Sequence, residues 1–340
     1  MKRGSKVGFA VVGLGAIAQG SVLPAFRHTK QAKLVALVSR DKGKAEKLRR
    51  KFKAKSCYAV EEFTNCLANP EVEAVYLATP QSEHLSATLV AARAGKHVLC
   101  EKPLAVTVEQ SARMVVACRR AGVLLMTAYR KYSEPSAVYV KSLVRNGKLG
   151  RIDTIHTSFS ERFVPGVSQA WLVDPAIAGG GPLMDLGVYC VNTSRWLVDE
   201  DPVEAIAESW RHDKTIFQQV EEGIAFTLKF PSGLRVHGST TYSASMSSFL
   251  FVQGSKGWVS LVPAFPFEDT RVVSGKIGKR KFERRFKPLD EFALEIDAFA
   301  TAIQTKKPVE PDGIQGHRDI LILHAIYESA KSGYPAAINY

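Results

Sequence analysis

The stretch VGFAVVGLGAIAQG, residues 7–20, decides the fold. Its first six residues, 7–12, read as a short buried strand, and Gly13, Gly15 and Ala18 follow in the spacing G-x-G-x-x-A at the start of a helix. Each small residue has its own reason. Gly13 permits the tight turn, Gly15 has no side chain to hold a pyrophosphate off the backbone, and Ala18 lets helix and strand pack closely. The helix start offers free N–H groups and the positive end of its dipole to phosphates. A second apolar run, 33–38, comes after about 20 residues, as a βαβ unit requires.

Working outward, short apolar runs at 7–12, 34–38, 74–77, 97–100 and 123–127 alternate with helical stretches such as 82–94 and 108–121. That alternation predicts a parallel sheet covered on both faces, an α/β Rossmann domain. Pro24 falls where the first helix should continue, so a kink or break is expected there. After Tyr129 the character changes. One helix, 133–146, ends at Gly147, and strands then dominate at 152–160, 205–210, 223–230, 234–242 and 249–253, separated by turns at 231–233 and 254–257. This predicts an α+β domain with an open, mainly antiparallel sheet, followed by helices over 291–304 and 317–332. The expected division is 1–128, binding the dinucleotide, and 129–340, binding substrate and forming oligomers.

Composition excludes several classes. No run of 18 apolar residues exists, so no membrane span is expected. The start MKRGSK is basic but lacks an A-x-A-like cleavage site, and reads as a short ragged start and not a signal peptide. Cys57, Cys66, Cys100, Cys118 and Cys190 are scattered and contain no C-x-x-C pair, which favours a reducing, cytoplasmic setting and neither a metal site nor a disulfide framework. The formal net charge of +13 concentrates in residues 40–55, RDKGKAEKLRRKFKAK, and 276–287, KIGKRKFERRFK. No nucleic-acid-binding motif accompanies it, so the runs read as a solvated helix face and an exposed strand or loop, without a nucleic-acid partner.

The start of the first run bears on the cofactor. An NAD site usually has Asp or Glu at the end of the second strand, for the ribose 2′-hydroxyl. Here the strand ends Val38-Ser39-Arg40 and the acid is absent. Ser39 can hydrogen-bond a 2′-phosphate, Arg40 can stack on or pair with it, and Lys44 follows one helical turn on, so NADP is favoured over NAD. Arg40 and Lys44 also read as plain surface charges, and Asp41 weighs against a phosphate.

Hydride removal from an alcohol also requires loss of the hydroxyl proton, hence a base or a Tyr or Lys that relays it. AGKHVLCEKP, residues 94–103, is a strand delivering Glu101 and Lys102 to the carboxyl edge of the sheet, where ligands bind in open α/β folds. GGGPLMDLGVY, residues 179–189, places Asp185 and Tyr189 four apart, on one face if helical.

With GLGAIA, ATPQSEH at 78–84, AYRKYSEP at 128–135 and the two stretches above, the chain resembles the glucose–fructose oxidoreductase/inositol dehydrogenase/MocA (Gfo/Idh/MocA) family over essentially its whole length. YSASMSSFLFVQG and LILHAIYESAKSG are similar to the glucose–fructose oxidoreductase branch. The resemblance implies an NADP-binding Rossmann domain and a second-domain sheet that forms a homodimer or homotetramer interface. It implies that Lys102 contacts the nicotinamide ribose and the reacting hydroxyl, that the Lys102–Pro103 peptide is cis, that Tyr189 is the acid/base and that Asp185 orients substrate. Thr79, Pro80 and His84 would line the nicotinamide side. Arg130 and Tyr58 match cofactor-contacting positions, and Gly13, Gly15, Ala16, Ile17 and Glu101 complete the cofactor set.

Two departures follow. The inositol dehydrogenase branch has His where this chain has Tyr189, which points to the aldose-oxidising branch. In glucose–fructose oxidoreductase an arginine follows the tryptophan that matches Trp171, whereas Leu172 follows here. The export signal and cofactor-enclosing arm of that enzyme are also missing, which implies that NADP exchanges freely. The expectation is an NADP-dependent oxidoreductase of a pyranose sugar, removing hydride from aldose C1 to give the lactone, with Trp171 as a stacking platform or a core aromatic. The rivals are an NADPH-dependent ketosugar reductase, a trans-dihydrodiol dehydrogenase, and a non-catalytic sugar- or NADP-sensing regulator. Retention of Lys102, Asp185 and Tyr189 argues against the regulator.

Overall fold

The structure is a computed structural model and describes residues 5–267 and 269–340; the first four residues of the basic start lie outside the described residues. The chain divides into two compact units, residues 1–133 with 290–317 and residues 134–289 with 318–340. This differs from a division at 128/129, because residues 290–317 return to the first unit.

In the first unit β1 (Val7–Val12), β2 (Ala32–Ser39), β3 (Ser56–Ala59), β4 (Ala74–Leu77), β5 (His97–Glu101) and β6 (Leu125–Ala128) form one sheet in the order β3-β2-β1-β4-β5-β6. Every pairing is parallel. Every residue of β1 and β4 is buried, as the near-continuous apolar runs of a sheet covered on both faces require. The order reverses between β1 and β4, and a crevice at the carboxyl ends beside such a reversal is where doubly wound sheets bind ligands. Helix Val108–Ala121 begins at Thr107, whose side chain accepts the Gln110 N–H, and ends at Gly122 with φ +67°, so both boundaries were readable.

The first helix is less regular. Residues Ala18–Val22 form a wide π-turn, with the Leu23 N–H reaching back to the Ala18 carbonyl, and the short Leu23–Ala25 turn ends at Phe26. Pro24 supplies no N–H, so the break expected there is present. Strand β3, not anticipated from the sequence, has four half-buried residues and no alternation. Helix Glu291–Thr305 packs on β1 and β2. Its first residue, Glu291, accepts from Arg130 at 2.6 Å and Lys131 at 3.3 Å just beyond β6.

In the second unit β7 (Ile152–Ser160), β8 (Glu204–Trp210), β9 (Gly223–Lys229), β10 (Arg235–Thr241), β11 (Ser247–Gly254), β12 (Gly257–Val262), β13 (Arg271–Ile277), β14 (Arg280–Phe286) and β15 (Ala336–Ala337) form an open sheet, ordered β14-β13-β12-β11-β7-β10-β9-β8-β15. Only β7 and β10 pair in parallel; the rest are antiparallel. Helix Val188–Val198 packs on β7 and β10, and helix Pro135–Arg145 on β12 and β13. The basic run at 276–287 lies mostly in β14, an edge strand whose cations are exposed, a charge pattern that discourages edge-to-edge pairing. Alternate residues of the sheet leave Ile206, Phe249 and Val262 on its other side, each about half exposed.

Among the described residues no helix is long and apolar enough to cross a membrane. All five cysteines are free, and burial pushes the Cys66, Cys118 and Cys190 thiols up to about 12, so they act as core residues.

Candidate active site

At the carboxyl edge of the first sheet, Gly13 has φ +88°, a conformation that excludes most side chains. Its N–H donates to the Val38 carbonyl at 3.0 Å, and the Ala78 N–H donates to the Val12 carbonyl at 2.8 Å. A Cβ on Gly13 would stand 2.7 Å from the Ala78 oxygen, so this glycine lets β1 and β4 close against each other. Gly15 differs: no atom lies within 4 Å of where its Cβ would be. Gly15 and Ala16 are exposed at the helix start, whereas Ala18 is wholly buried. An open backbone cradle at Gly15 is what a pyrophosphate needs. Across the crevice the Thr79 hydroxyl is buried without a hydrogen-bond partner, and beside it Pro80 is half-buried. A buried unpaired hydroxyl at this edge fits a bound polar ligand.

At the end of β2, Ser39 Oγ accepts the Asp41 N–H at 3.1 Å, and Asp41 caps helix Lys42–Phe52 by accepting the Lys44 N–H at 2.8 Å. Asp41 therefore has a structural task as the cap of that helix. Arg40 pairs with Glu83 at 2.5 Å, with most of its side chain exposed. Exposed pairs are worth about 0–1 kcal/mol, so Arg40 can exchange Glu83 for a phosphate. Lys44 is exposed, and Tyr58, on β3, is registered directly beside Val38.

Three expected cofactor contacts are used differently. His84 is wholly buried, with Nε2 2.9 Å from the Thr79 carbonyl and Nδ1 3.1 Å from the Leu104 carbonyl. Burial pushes its pKa down. It ties together the loops after β4 and β5 and does not present a nitrogen to the nicotinamide side. Arg130 is almost wholly buried and gives its guanidinium to Glu291. Glu101 turns inward: Oε1 accepts from Tyr76 at 2.9 Å and Oε2 accepts the Lys102 N–H at 3.2 Å, while burial raises its pKa. Lys102 itself is half-buried at the sheet edge, and the Lys102–Pro103 peptide is cis as expected.

In the second unit the three-glycine loop proves to be a packing device. Gly179 ends a short helix at φ +82°. A Cβ on Gly180 would meet the Tyr327 hydroxyl at 2.0 Å, and one on Gly181 the Glu221 carbonyl at 2.5 Å. The buried Glu221 side chain accepts the Gly181 N–H at 3.1 Å, the Leu183 N–H at 3.0 Å and the Tyr327 hydroxyl at 2.9 Å. These bonds satisfy the N–H groups that a helix start leaves orphaned. The turn they fix, Leu183–Gly187, is a π-turn leading into helix Val188–Val198. It presents Asp185, half-buried, whose Oδ2 accepts from the Tyr242 hydroxyl at 3.0 Å. Burial, then the Asp185 charge, raises the Tyr242 pKa well above its ordinary value, so Tyr242 remains a donor. Tyr189, 6% exposed, is walled by Phe159 and Phe265, with each ring centre 5.8 Å away. Trp171 is half-buried on a turn, its Nε1 donating to Gln169 at 2.8 Å.

Residues 7–129 match the family described as "Oxidoreductase family, NAD-binding Rossmann fold", and residues 137–260 match the "GFO/IDH/MocA C-terminal domain". The chain belongs to the Gfo/Idh/MocA oxidoreductase family. It is 31% identical over 330 residues to the D-xylose 1-dehydrogenase [NADP(+)] of Haloarcula marismortui, covering 96% of this chain and 91% of that one. It is 34% identical over 256 residues to the trans-1,2-dihydrobenzene-1,2-diol dehydrogenase of Oryctolagus cuniculus, covering 74% of each. The solved aldose-aldose oxidoreductase of Caulobacter crescentus, in complex with glycerol, superposes with a TM-score of 0.93 at 34% identity, covering 98% of this chain and 99% of that one.

Sequence reasoning missed Tyr76, Glu221, Tyr242, Glu291, Glu295 and Tyr327. Tyr76 lies in a strand, Glu291, Glu295 and Tyr327 in helices, and Glu221 and Tyr242 just outside strands; each makes its contact with a residue distant in sequence, so spacing alone does not reveal the pairing.

Proposed function

We propose that this Gfo/Idh/MocA member is an NADP-dependent oxidoreductase that oxidises a pyranose aldose at C1 to the lactone. When bound, NADP supplies the hydride acceptor. Gly13, Gly15, Ala16, Ile17, Thr79 and Pro80 hold its pyrophosphate and nicotinamide half, and Ser39, Arg40, Lys44 and Tyr58 its adenosine 2′-phosphate. Lys102 contacts the ribose and the reacting hydroxyl, Tyr189 as phenolate takes the hydroxyl proton and later releases it to water, and Asp185 accepts a hydrogen bond from a neighbouring sugar hydroxyl. Trp171 offers a face for the sugar ring. The uncovered face of the second-unit sheet joins two copies of the chain.

The observation that carries the reading is the Asp185–Tyr189 arrangement. A carboxylate kept in place by a donor that does not ionise, Tyr242, stands one turn from a phenol enclosed by two aromatic rings. A carboxylate for a sugar hydroxyl next to a tyrosine that can relay the hydroxyl proton meets what alcohol oxidation on a sugar needs. The likeness to an NADP-dependent xylose dehydrogenase over 96% of the chain supports the same substrate class. A second reading, oxidation of a trans-dihydrodiol, is favoured by the 34% identity to the rabbit enzyme. Growth of the reduced-nicotinamide absorbance with NADP and a panel of aldoses, with D-xylose and D-glucose first, tests the proposal. Turnover of a trans-dihydrodiol but no aldose selects the second reading. No turnover of either, with NADP still bound, rejects both.

A further inference from the structure

A chain of buried polar groups runs behind Lys102. Tyr76, on β4, is wholly buried; its hydroxyl donates to Glu101 Oε1 at 2.9 Å and lies 3.4 Å from Glu295 Oε1. Glu101 Oε2 accepts the Lys102 N–H. Glu295, on helix Glu291–Thr305, is 1% exposed, and its Oε2 has no hydrogen-bond partner. The charged groups around this chain are Glu101 at the end of β5, Lys102 just after it, Arg130 and Lys131 after β6, and Glu291 on the same helix.

Their pairing fixes the state of Glu295. Arg130 and Lys131 both reach Glu291, at 2.6 and 3.1 Å. No ion pair reaches Glu295 among the described residues, so an ionised carboxylate there would be buried without a cation at ion-pair distance and with one oxygen lacking any donor, an arrangement proteins avoid. A tyrosine hydroxyl has one proton. Tyr76 gives it to the nearer Glu101, which turns its own lone pairs toward Glu295. Glu295 completes that contact only as a donor, that is, as a carboxylic acid. Burial, reinforced by the Glu101 charge, pushes its pKa well above the carboxylate range, in agreement.

We propose that Glu295 is a positioning residue for Lys102: it donates to Tyr76, Tyr76 donates to Glu101, and Glu101 fixes the Lys102 main chain at the sheet edge. The proposal rests on the assignment of Lys102 as a contact to the cofactor ribose and the reacting hydroxyl.

The test uses the full chain with E295Q, E295L, Y76F and the E295L/Y76F double variant. The readouts are NADP affinity by titration, which needs no turnover, kcat with the best aldose, the unfolding midpoint, and the infrared band of a protonated carboxyl. Glutamine keeps the shape and a donor, so E295Q should hold NADP affinity and kcat within about threefold of wild type while losing that infrared band. E295L and Y76F should each weaken NADP and lower kcat by about tenfold, as small misplacements at a reacting centre do. E295L should do so without a lower unfolding midpoint, since an apolar group replaces a buried acid. The double variant should be no worse than either single one, because both break one chain. Wild-type affinity and turnover in E295L and Y76F would overturn the proposal. So would E295Q as damaged as E295L, or an infrared band unchanged in E295Q. Should E295L not fold, Y76F and E295Q decide alone. If wild type oxidises no aldose, the proposed function has failed, and the NADP titrations still judge Glu295.

Discussion

Gly13 and Gly15 stand two residues apart, yet replacing each by alanine should have opposite consequences. Gly13 has φ +88°, and a Cβ there would stand 2.7 Å from the Ala78 oxygen and 2.8 Å from Thr79 Cγ2. A left-handed conformation costs a non-glycine residue roughly 1–2 kcal/mol. A backbone oxygen cannot swing aside as a side chain does, so the clash adds about 1–3 kcal/mol in shifted strands. Gly13→Ala should therefore destabilise the cofactor-free protein by about 2–5 kcal/mol, read as a lower urea midpoint. Gly15→Ala meets nothing within 4 Å, so its urea midpoint should correspond to wild type within about 0.5 kcal/mol. Its added methyl occupies the space that a pyrophosphate would approach, and NADP affinity should fall by tenfold or more, about 1.4 kcal/mol. Denaturation without NADP and calorimetric titration with it separate the two effects. A Gly15→Ala protein that binds NADP as wild type does would refute the cradle, and a Gly13→Ala protein of wild-type stability would refute the strand-closing role.

Three further outcomes are expected. Ser39→Asp should shift preference from NADP toward NAD, because a carboxylate accepts from the ribose hydroxyl and repels the 2′-phosphate; equal NAD and NADP affinity in wild type would undo the assignment. Tyr189→Phe removes only the phenol oxygen, so turnover on the best aldose should fall by about 10²–10⁴ while NADP affinity holds; unchanged turnover would route the proton elsewhere, with Lys102 the remaining candidate. His84 titrates lower in the folded chain than its unfolded value near 6.5, so its contribution to stability is complete above that pH and is lost as pH falls toward the folded value, at no more than about 1.4 kcal/mol per pH unit. Urea midpoints at pH about 7.5 and about 5.5 should therefore differ more in wild type than in His84→Gln.

The fold was legible where a local pattern carried it. β1 and β4 announce themselves as apolar runs, and helix Val108–Ala121 has its cap and its terminating glycine in sequence. β3 was illegible because a short edge strand with four half-buried residues has neither an apolar run nor alternation. The basic run 276–287, read as an exposed strand or loop, lies mostly in the edge strand β14, where Phe282 and Phe286 pack on Tyr139; β13 before it was not anticipated. The return of helix Glu291–Thr305 to the first unit had no local signal either, because Arg130 and Glu291 meet across 161 residues of sequence.

The same division runs through the candidate site. Residues at the carboxyl ends of strands, such as Ser39 and Lys102, could be placed because a parallel sheet puts every such end on one edge. What could not be read is which polar side chains at that edge face a ligand and which face inward. His84, Glu101 and Arg130 sit in motifs beside it, yet each is turned toward the protein: His84 lies between two carbonyls and its single ring N–H donates to one of them, Glu101 accepts from Tyr76, and Arg130 donates to Glu291. The cause is desolvation. A buried polar group must be paired, and the partners lie wherever the packed chain brings them, not at a fixed spacing. Asp185 shows the converse. Its sequence neighbours promised a helix face, but Tyr242 fixes its carboxylate, and the Glu221–Tyr327 pair fixes the turn that carries it. A site of this kind is specified twice, once by a motif that selects the reacting groups and once by scattered buried acids and phenols that hold them. Substitutions in the second set should erode binding and turnover with the motif intact.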